Sequence, residues 1–228
     1  MSQIVSYHGT ALISSEVEVL VKLERQLGRP IPKVPKLERD IFGFTAQKKH
    51  VVGLGLLKLG LKALSRSFGN PKHLQILNLR WNQLKSLPTS FGNLTDLTEL
   101  ILYNNVLRFL PESLGQLHSL QKLELQYNQL QILPESFSNL KNLVNLKLYN
   151  NMLNSLPETF GNLRRLQNLK LQYNHLQSLP ESLGNLQNLQ ILDLSDNQLK
   201  VLPKSFGHLK DLQAVSLNDN EGVVVHWP

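Results

Sequence analysis

From Leu74 onward, apolar and polar positions follow one fixed order. The stretch Leu120-Gln-Lys-Leu-Glu-Leu-Gln-Tyr-Asn128 shows it: leucines at the first, fourth and sixth places and an asparagine at the ninth. The order returns every 23 residues, with copies opening at Leu74, Leu97, Leu120, Leu143, Leu166 and Leu189, and a truncated seventh at Leu212. The triplet Leu123-Glu-Leu125 has the period of a strand with one buried face. Leu130, Leu133, Phe137 and Leu140 supply the rest of the apolar set of that copy. One such coil cannot bury its own leucines, so successive copies must stack around a shared core. Proline after the fourth leucine, as in Leu156-Pro157 and Leu179-Pro180, opens a short helical turn. Glycine in Phe160-Gly161 and Leu183-Gly184 is expected where that turn ends.

Ahead of the copies the periods change. Residues 51–73 form a degenerate copy in which Leu54, Leu56, Leu61 and Leu64 fit, while Leu59 replaces the asparagine and Ser65 the proline. Residues 1–50 read as an N-terminal cap. Ser15 and Glu18 form a capping box for a helix over about 15–27, whose apolar face is Val17, Leu20, Val21, Leu23 and Leu27. Gly28-Arg-Pro30 stops it, the Pro-rich link Pro30–Pro35 follows, and Ile41–Thr45 predicts a strand that pairs as a hairpin with Val51–Leu56. Six full copies then occupy 74–211, and 212–228 holds the truncated copy and a thin cap, with Val223–Trp227 as an apolar lid. That thin cap leaves the last strand edge open to pairing.

The motif L-x-x-L-x-L-x-x-N-x-L-x-x-L-P, repeated over about three quarters of the chain, resembles the leucine-rich repeats, and most closely their 23-residue class. The resemblance implies an α/β horseshoe solenoid with a parallel sheet on the concave face and short helical or 3-10 turns on the convex face. The sequence adds a helix and a β-hairpin as its N-terminal cap. Intracellular members of that class include scaffolds of small-GTPase signalling. The implied partner is therefore a protein or peptide, with a small GTPase or its regulator as one candidate.

The asparagine column Asn82, Asn105, Asn128, Asn151, Asn174, Asn197 and Asn220 follows each strand. A side-chain amide carries both a donor and an acceptor, which suits backbone groups left unpaired where the chain leaves the sheet. This column is expected to be structural.

The working surface is expected on the solvent side of the strands. Its third-place residues include Glu99 and Lys122, and its fifth-place residues include Ile101, Glu124, Lys147, Lys170 and Asp193. Glu124 falls beside Lys147 and Lys170 beside Asp193, at a strand spacing of about 4.8 Å. The seventh and eighth places read Arg80-Trp81, Tyr103-Asn104, Gln126-Tyr127, Tyr149-Asn150 and Gln172-Tyr173. The aromatic alternates between the two columns because the copies carry a 46-residue super-period: Leu102-Tyr-Asn-Asn105 recurs at 148–151 and Leu125-Gln-Tyr-Asn128 at 171–174. Staggered rings meet edge-on where rings in one column would be forced face to face. Tyrosine, tryptophan and arginine are also the residues that dominate interface hot spots, so this stripe is the expected partner-binding surface.

Composition narrows the alternatives. The net charge of +7 invites a nucleic-acid reading, but residues 1–50 hold eight Lys/Arg against five Asp/Glu, 51–73 four against none, and 74–228 twelve against twelve. The excess (Lys48, Lys49, Lys58, Lys62, Arg66, Lys72) is confined to the N-terminal end, remote from most of the tyrosines, which disfavours nucleic acid. With no cysteine there is no disulfide and no thiolate site. The seven histidines show no ligand spacing, so no metal is expected. Gly53-Leu-Gly55 lacks the third glycine of a dinucleotide fingerprint, since residue 58 is lysine. Glu112, Glu135, Glu158 and Glu181 each follow the repeat proline, where a carboxylate favours the start of a turn. No catalytic constellation and no cofactor motif emerge, and a non-enzymatic module is expected. The N-terminus shows no signal-peptide pattern and no apolar run spans a membrane, which gives a cytoplasmic expectation.

Overall fold

The computed structural model describes residues 3–38 and 40–220. A two-stranded antiparallel hairpin, β1 (Ile4–Tyr7) and β2 (Thr10–Ile13), leads directly into helix α1 (Ser14–Leu27). After the link come β3 (Gly43–Gln47) and β4 (His50–Gly55). Seven three-residue strands follow at 23-residue intervals: β5 (Ile76–Asn78), β6 (Glu99–Ile101), β7 (Lys122–Glu124), β8 (Asn145–Lys147), β9 (Asn168–Lys170), β10 (Ile191–Asp193) and β11 (Ala214–Ser216). All nine strands from β3 to β11 form one sheet in chain order, parallel from β4 to β11 with β3 added antiparallel at the edge. The register advances by one repeat per strand, Glu99 opposite Lys122 and Lys122 opposite Asn145. This is a leucine-rich repeat solenoid, with 3-10 turns such as Glu112–Gln116 and Glu135–Asn139 opposite the sheet.

The repeat leucines and phenylalanines make one continuous core, in which Leu100, Leu123, Leu146 and Leu169 have no solvent exposure. Phenylalanine rings of neighbouring coils stack nearly parallel, Phe68 on Phe91 at 5.9 Å and Phe137 on Phe160 at 6.4 Å.

Two local expectations need correction. The capping box of Ser15 and Glu18 does not form. The helix begins one residue earlier, and the N–H of its first residue is met by backbone, Ser14 N donating to Gln3 O at 2.8 Å, while Ile13 N at the end of β2 donates to Lys49 O at 3.1 Å. Glu18 pairs with Lys22 one turn on, while the buried Glu16 accepts from Val51 N (2.7 Å) and His50 Nδ1 (2.8 Å) and so ties the helix to the first coil. The repeat glycines do not end the turns in left-handed backbone either. A Cβ at Gly69, Gly115 or Gly161 would strike the carbonyl of Ser90, Ser136 or Ser182, so glycine is needed for the close approach of the next coil. Where Ser138 stands in that column, the next turn is the short Phe160–Asn162, and Ser138 Oγ donates to Glu135 O.

The predicted edge strand is displaced from 41–45 to Gly43–Gln47, with a bulge between Thr45 and Ala46. Leu37 and the Ile41 carbonyl are used otherwise: they lie over Gly55, where a Cβ would collide with both, while a Cβ at Gly53 would strike Thr45 Oγ1 of β3 and only touch Leu37. The lid expected at Val223–Trp227 lies outside the described residues.

Candidate functional site

Each coil leaves the sheet through its asparagine. Asn105 Oδ1 accepts from Leu84 N of the preceding coil at 3.0 Å, while its Nδ2 donates to Leu79 O (3.0 Å) and Leu102 O (2.9 Å). The same three bonds recur at Asn128, Asn151 and Asn174, and Asn82, Asn197 and Asn220 bridge their coils alike. The ladder fixes the path of the two residues before it, which carry the aromatics.

Those two residues have distinct conformations. The eighth-place residue is left-handed in every described coil: Lys58, Trp81, Asn104, Tyr127, Asn150, Tyr173, Asp196 and Asp219 all have φ between 52° and 57°. Asparagine and aspartate accept that region readily, whereas bulky aromatics rarely do. Inter-coil bonds hold the backbone there. Tyr127 N donates to Tyr149 O at 3.1 Å, and Asn105 N donates to the Tyr127 carbonyl at 3.3 Å.

In consequence the five aromatics do not share one stripe of equal exposure. Trp81, Tyr127 and Tyr173 stand out from the surface, each about half exposed, at 50%, 47% and 54%. Tyr103 is buried and Tyr149 half-buried, and each supports a neighbour edge-on: Trp81 on Tyr103 at 6.5 Å and 73°, Tyr127 on Tyr149 at 5.3 Å and 79°. The offset geometry expected from the stagger is present.

Beside the aromatics runs a charged network. Lys122 bridges Glu99 (2.6 Å) and Glu124 (3.6 Å), and Lys147 reaches Glu124 at 2.8 Å. Partial burial alone would lower the Lys122 pKa, but the Glu99 hydrogen bond and the two carboxylate charges outweigh it and raise it. The Lys170–Asp193 neighbours, opposite in register, do not close into an ion pair among the described residues. Asp193 accepts from Ser195 Oγ at 2.7 Å. Gln172 is half-buried.

At the N-terminal end several expected contact residues are not presented to solvent. Arg80 is 4% exposed: it donates to Tyr103 Oη at 2.6 Å and to Asp40, which arrives from the cap link. Ile101, Glu124 and Gln126 are also buried. Leu37 and Glu38 of the link border a cavity of about 310 Å³ over Ile76, Asn78, Glu99, Ile101 and Lys122. Sequence reasoning missed this strap. Its signal was Gly55 at an outward strand place, where the Ile41 carbonyl and Leu37 of the link leave no room for a side chain.

Among the described residues no helix is long and apolar enough to cross a membrane, and no group of three or more His, Cys, Asp or Glu could hold a metal ion.

A leucine rich repeat family model matches residues 72–130 and 131–176, and a leucine-rich repeat region model matches 161–225. No curated protein matches the chain in sequence. Among solved structures, a leucine-rich repeat protein of Leptospira interrogans is 35% identical over 75% of this chain and 43% of its own, with a TM-score of 0.70. The ectodomain of the Arabidopsis thaliana membrane receptor kinase GASSHO1/SCHENGEN3, in complex with Casparian strip integrity factor 2, is 32% identical over 82% of this chain and 23% of its own, at a TM-score of 0.70. YopM from Yersinia enterocolitica is 30% identical over 77% and 35%, at 0.61. The chain thus spans less than half the length of each of these proteins. The repeat models together run through 72–225, a span that includes strands β5 to β11, the asparagine ladder and the rings of Trp81, Tyr127 and Tyr173. The chain belongs to the leucine-rich repeat family.

Proposed function

We propose that the chain is a non-enzymatic interaction module that holds a protein or peptide along its concave face. The carrying observation is the set of half-exposed rings at Trp81, Tyr127 and Tyr173, standing beside residues of which Glu99, Lys122, Glu124 and Lys147 are paired and Ile101 and Gln126 buried. Exposed aromatics on a rigid scaffold supply contact area at small entropic loss, the usual make-up of an interface anchor. One structural neighbour lends support, a receptor ectodomain in complex with its factor. A role as a cytoplasmic signalling scaffold is part of the proposal and rests on the cysteine-free composition and the family resemblance. The matched structures lend no support to a small GTPase or its regulator as the partner, and the proposal stops at a protein or peptide.

The test is affinity capture from native lysate by the chain and by its Tyr127→Ala, Tyr149→Ala, Tyr173→Ala triple variant, with captured proteins identified by mass spectrometry. Loss of specific partners in the folded triple variant is expected. Identical recovery would remove the concave face from consideration.

A further inference from the structure

The two-coil rhythm sets the spacing of the exposed rings. Trp81, Tyr127 and Tyr173 are two coils apart, so at about 4.8 Å per strand they recur every ~9.6 Å. Asn104 and Asn150 occupy the intervening places with the same left-handed backbone. Between Trp81 and Tyr127 lies an open slot of about 460 Å³ that Asn104 and the ladder residues Asn82 and Asn105 help to line. The pattern is therefore ring, amide, ring, amide, ring. Left-handed backbone suits asparagine and strains an aromatic, so half-exposed rings kept in that conformation point to use rather than to packing.

The spacing selects among extended occupants. A polyproline II helix repeats every three residues, about 9.3 Å, leaves its backbone carbonyls unpaired, and is recognised by aromatic ridges. Across the two intervals from Trp81 to Tyr173, ~19 Å, six of its residues span about 18.6 Å. A β-strand of six residues has a comparable span of about 20 Å, but its alternation turns the middle contact to the opposite face. An α-helix rises about 5.4 Å per turn, so four turns overshoot the outer rings by more than 2 Å.

The column is also electrically polarised. It starts at Lys58, whose ammonium lies 5.8 Å from the Trp81 ring centre, and ends at Asp196 and Asp219. Asp196, one coil beyond Tyr173, is the nearer of the two acids to the rings.

Resting on the reading of the concave face as a peptide-binding surface, we propose that this column is a rail for a proline-rich segment in the polyproline II conformation. Its prolines, three residues apart, lie against the three rings. Asn104 and Asn150 donate to the carbonyls between them, and an arginine or lysine of the segment lies at the Asp196 end.

Fluorescence anisotropy of the full chain with labelled synthetic peptides tests this. One set has three prolines at every third position and an arginine beyond one terminus, supplied in both chain directions. A second has the same composition with prolines at every second position, and a third carries glutamate for arginine. The every-third peptide is expected to bind in at least one direction, and at least about tenfold more tightly than the every-second peptide. The glutamate peptide should bind more weakly, by a margin that narrows with added salt. Trp81→Asn, Tyr127→Asn and Tyr173→Asn each install the residue that neighbouring coils carry, and each should weaken binding at least about fivefold. Equal affinity for the two proline spacings, read on the unmodified chain, overturns the proposal, as does indifference to all three variants. If the peptides fail while the triple alanine variant still loses its captured partners, the rail is wrong and the concave-face reading survives. If capture is also unchanged, both fall.

Discussion

Tyr127 shows how one residue reconciles a strained backbone with a useful side chain. Its φ of 56° lies where residues without a short polar side chain are disfavoured, yet its N–H and C=O are both held by neighbouring coils. Tyr127→Asn relieves the strain and loses the edge contact with Tyr149, two effects of about 1 kcal/mol each and opposite sign. The expected change in unfolding free energy is under about 1 kcal/mol, whereas Tyr127→Val, β-branched in the same backbone, should cost about 1–2 kcal/mol more. Denaturant titrations of the two variants measure the difference. Asn128 is the opposite case, a residue kept wholly for the fold. Asn128→Ala strands the Leu107 N–H and removes one of two amide donors from each of the Leu102 and Leu125 carbonyls, which keep Asn105 and Asn151, and should destabilise by about 2–3 kcal/mol by the same assay. The roles of these neighbours were unevenly legible. The ladder could be read because an invariant amide among leucines has a single polar use, whereas the left-handed place was hidden by the very aromatics that violate its preference. The recurrence of asparagine and aspartate at that place, in Asn104, Asn150, Asp196 and Asp219, was the available sign.

At the scale of elements, the cap and the turns are joined to their neighbours by carboxylates acting across coils. Glu16, 2% exposed, connects α1 to β4, so Glu16→Ala leaves Val51 N–H without its partner and should lower stability by about 2–3 kcal/mol in chemical unfolding. Glu181, expected to favour its own turn, accepts from Ser205 N and Lys204 N at 3.1 Å each, at the start of the next coil's turn. Those backbone bonds to Ser205, first in effect, depress its pKa. Its contribution is therefore present above the ordinary glutamate range and fades as pH falls through the lowered value. Glu181→Gln should lower stability at neutral pH and converge with the parent chain in acid, so thermal melts from pH 7 down to about pH 3 would show a shallower decline. The repeat period gave away the strands because leucine spacing is local. The hairpin β1–β2 turns on left-handed His8 and Gly9 between strands of four residues, too short to show a period, whereas the late start of β3 and the strap over Gly55 depend on contacts between distant residues, such as Asp40 with Arg80, that no local period encodes.

For the whole molecule, the end caps govern whether one long sheet stays single. β3 covers the N-terminal edge of β4, and the link bonds to β3 in turn, Val34 N donating to Phe44 O at 2.8 Å and Phe44 N to Pro32 O at 2.9 Å. A chain lacking residues 1–47 would expose the β4 edge and the core beneath it, and should self-associate with rising concentration in light scattering while the full chain does so less. The fold was readable over most of the chain because each coil repeats the same argument. The surface was not, since exposure depends on what the strap and neighbouring rings cover: Arg80 and Trp81 are adjacent in sequence and stand at 4% and 50% exposure.

The alternation of left-handed aromatics with left-handed asparagines also makes length a question of parity. Gaining or losing a single 23-residue coil within 81–173 would keep the ladder and the core intact but put two rings, or two amides, side by side; gaining or losing a pair preserves the alternation. Recombination among near-identical repeats is free to change the number of coils without harming the fold. A lineage that uses the column is free to change it only by twos, so the even steps between related chains would be a fossil record of selection on the rings.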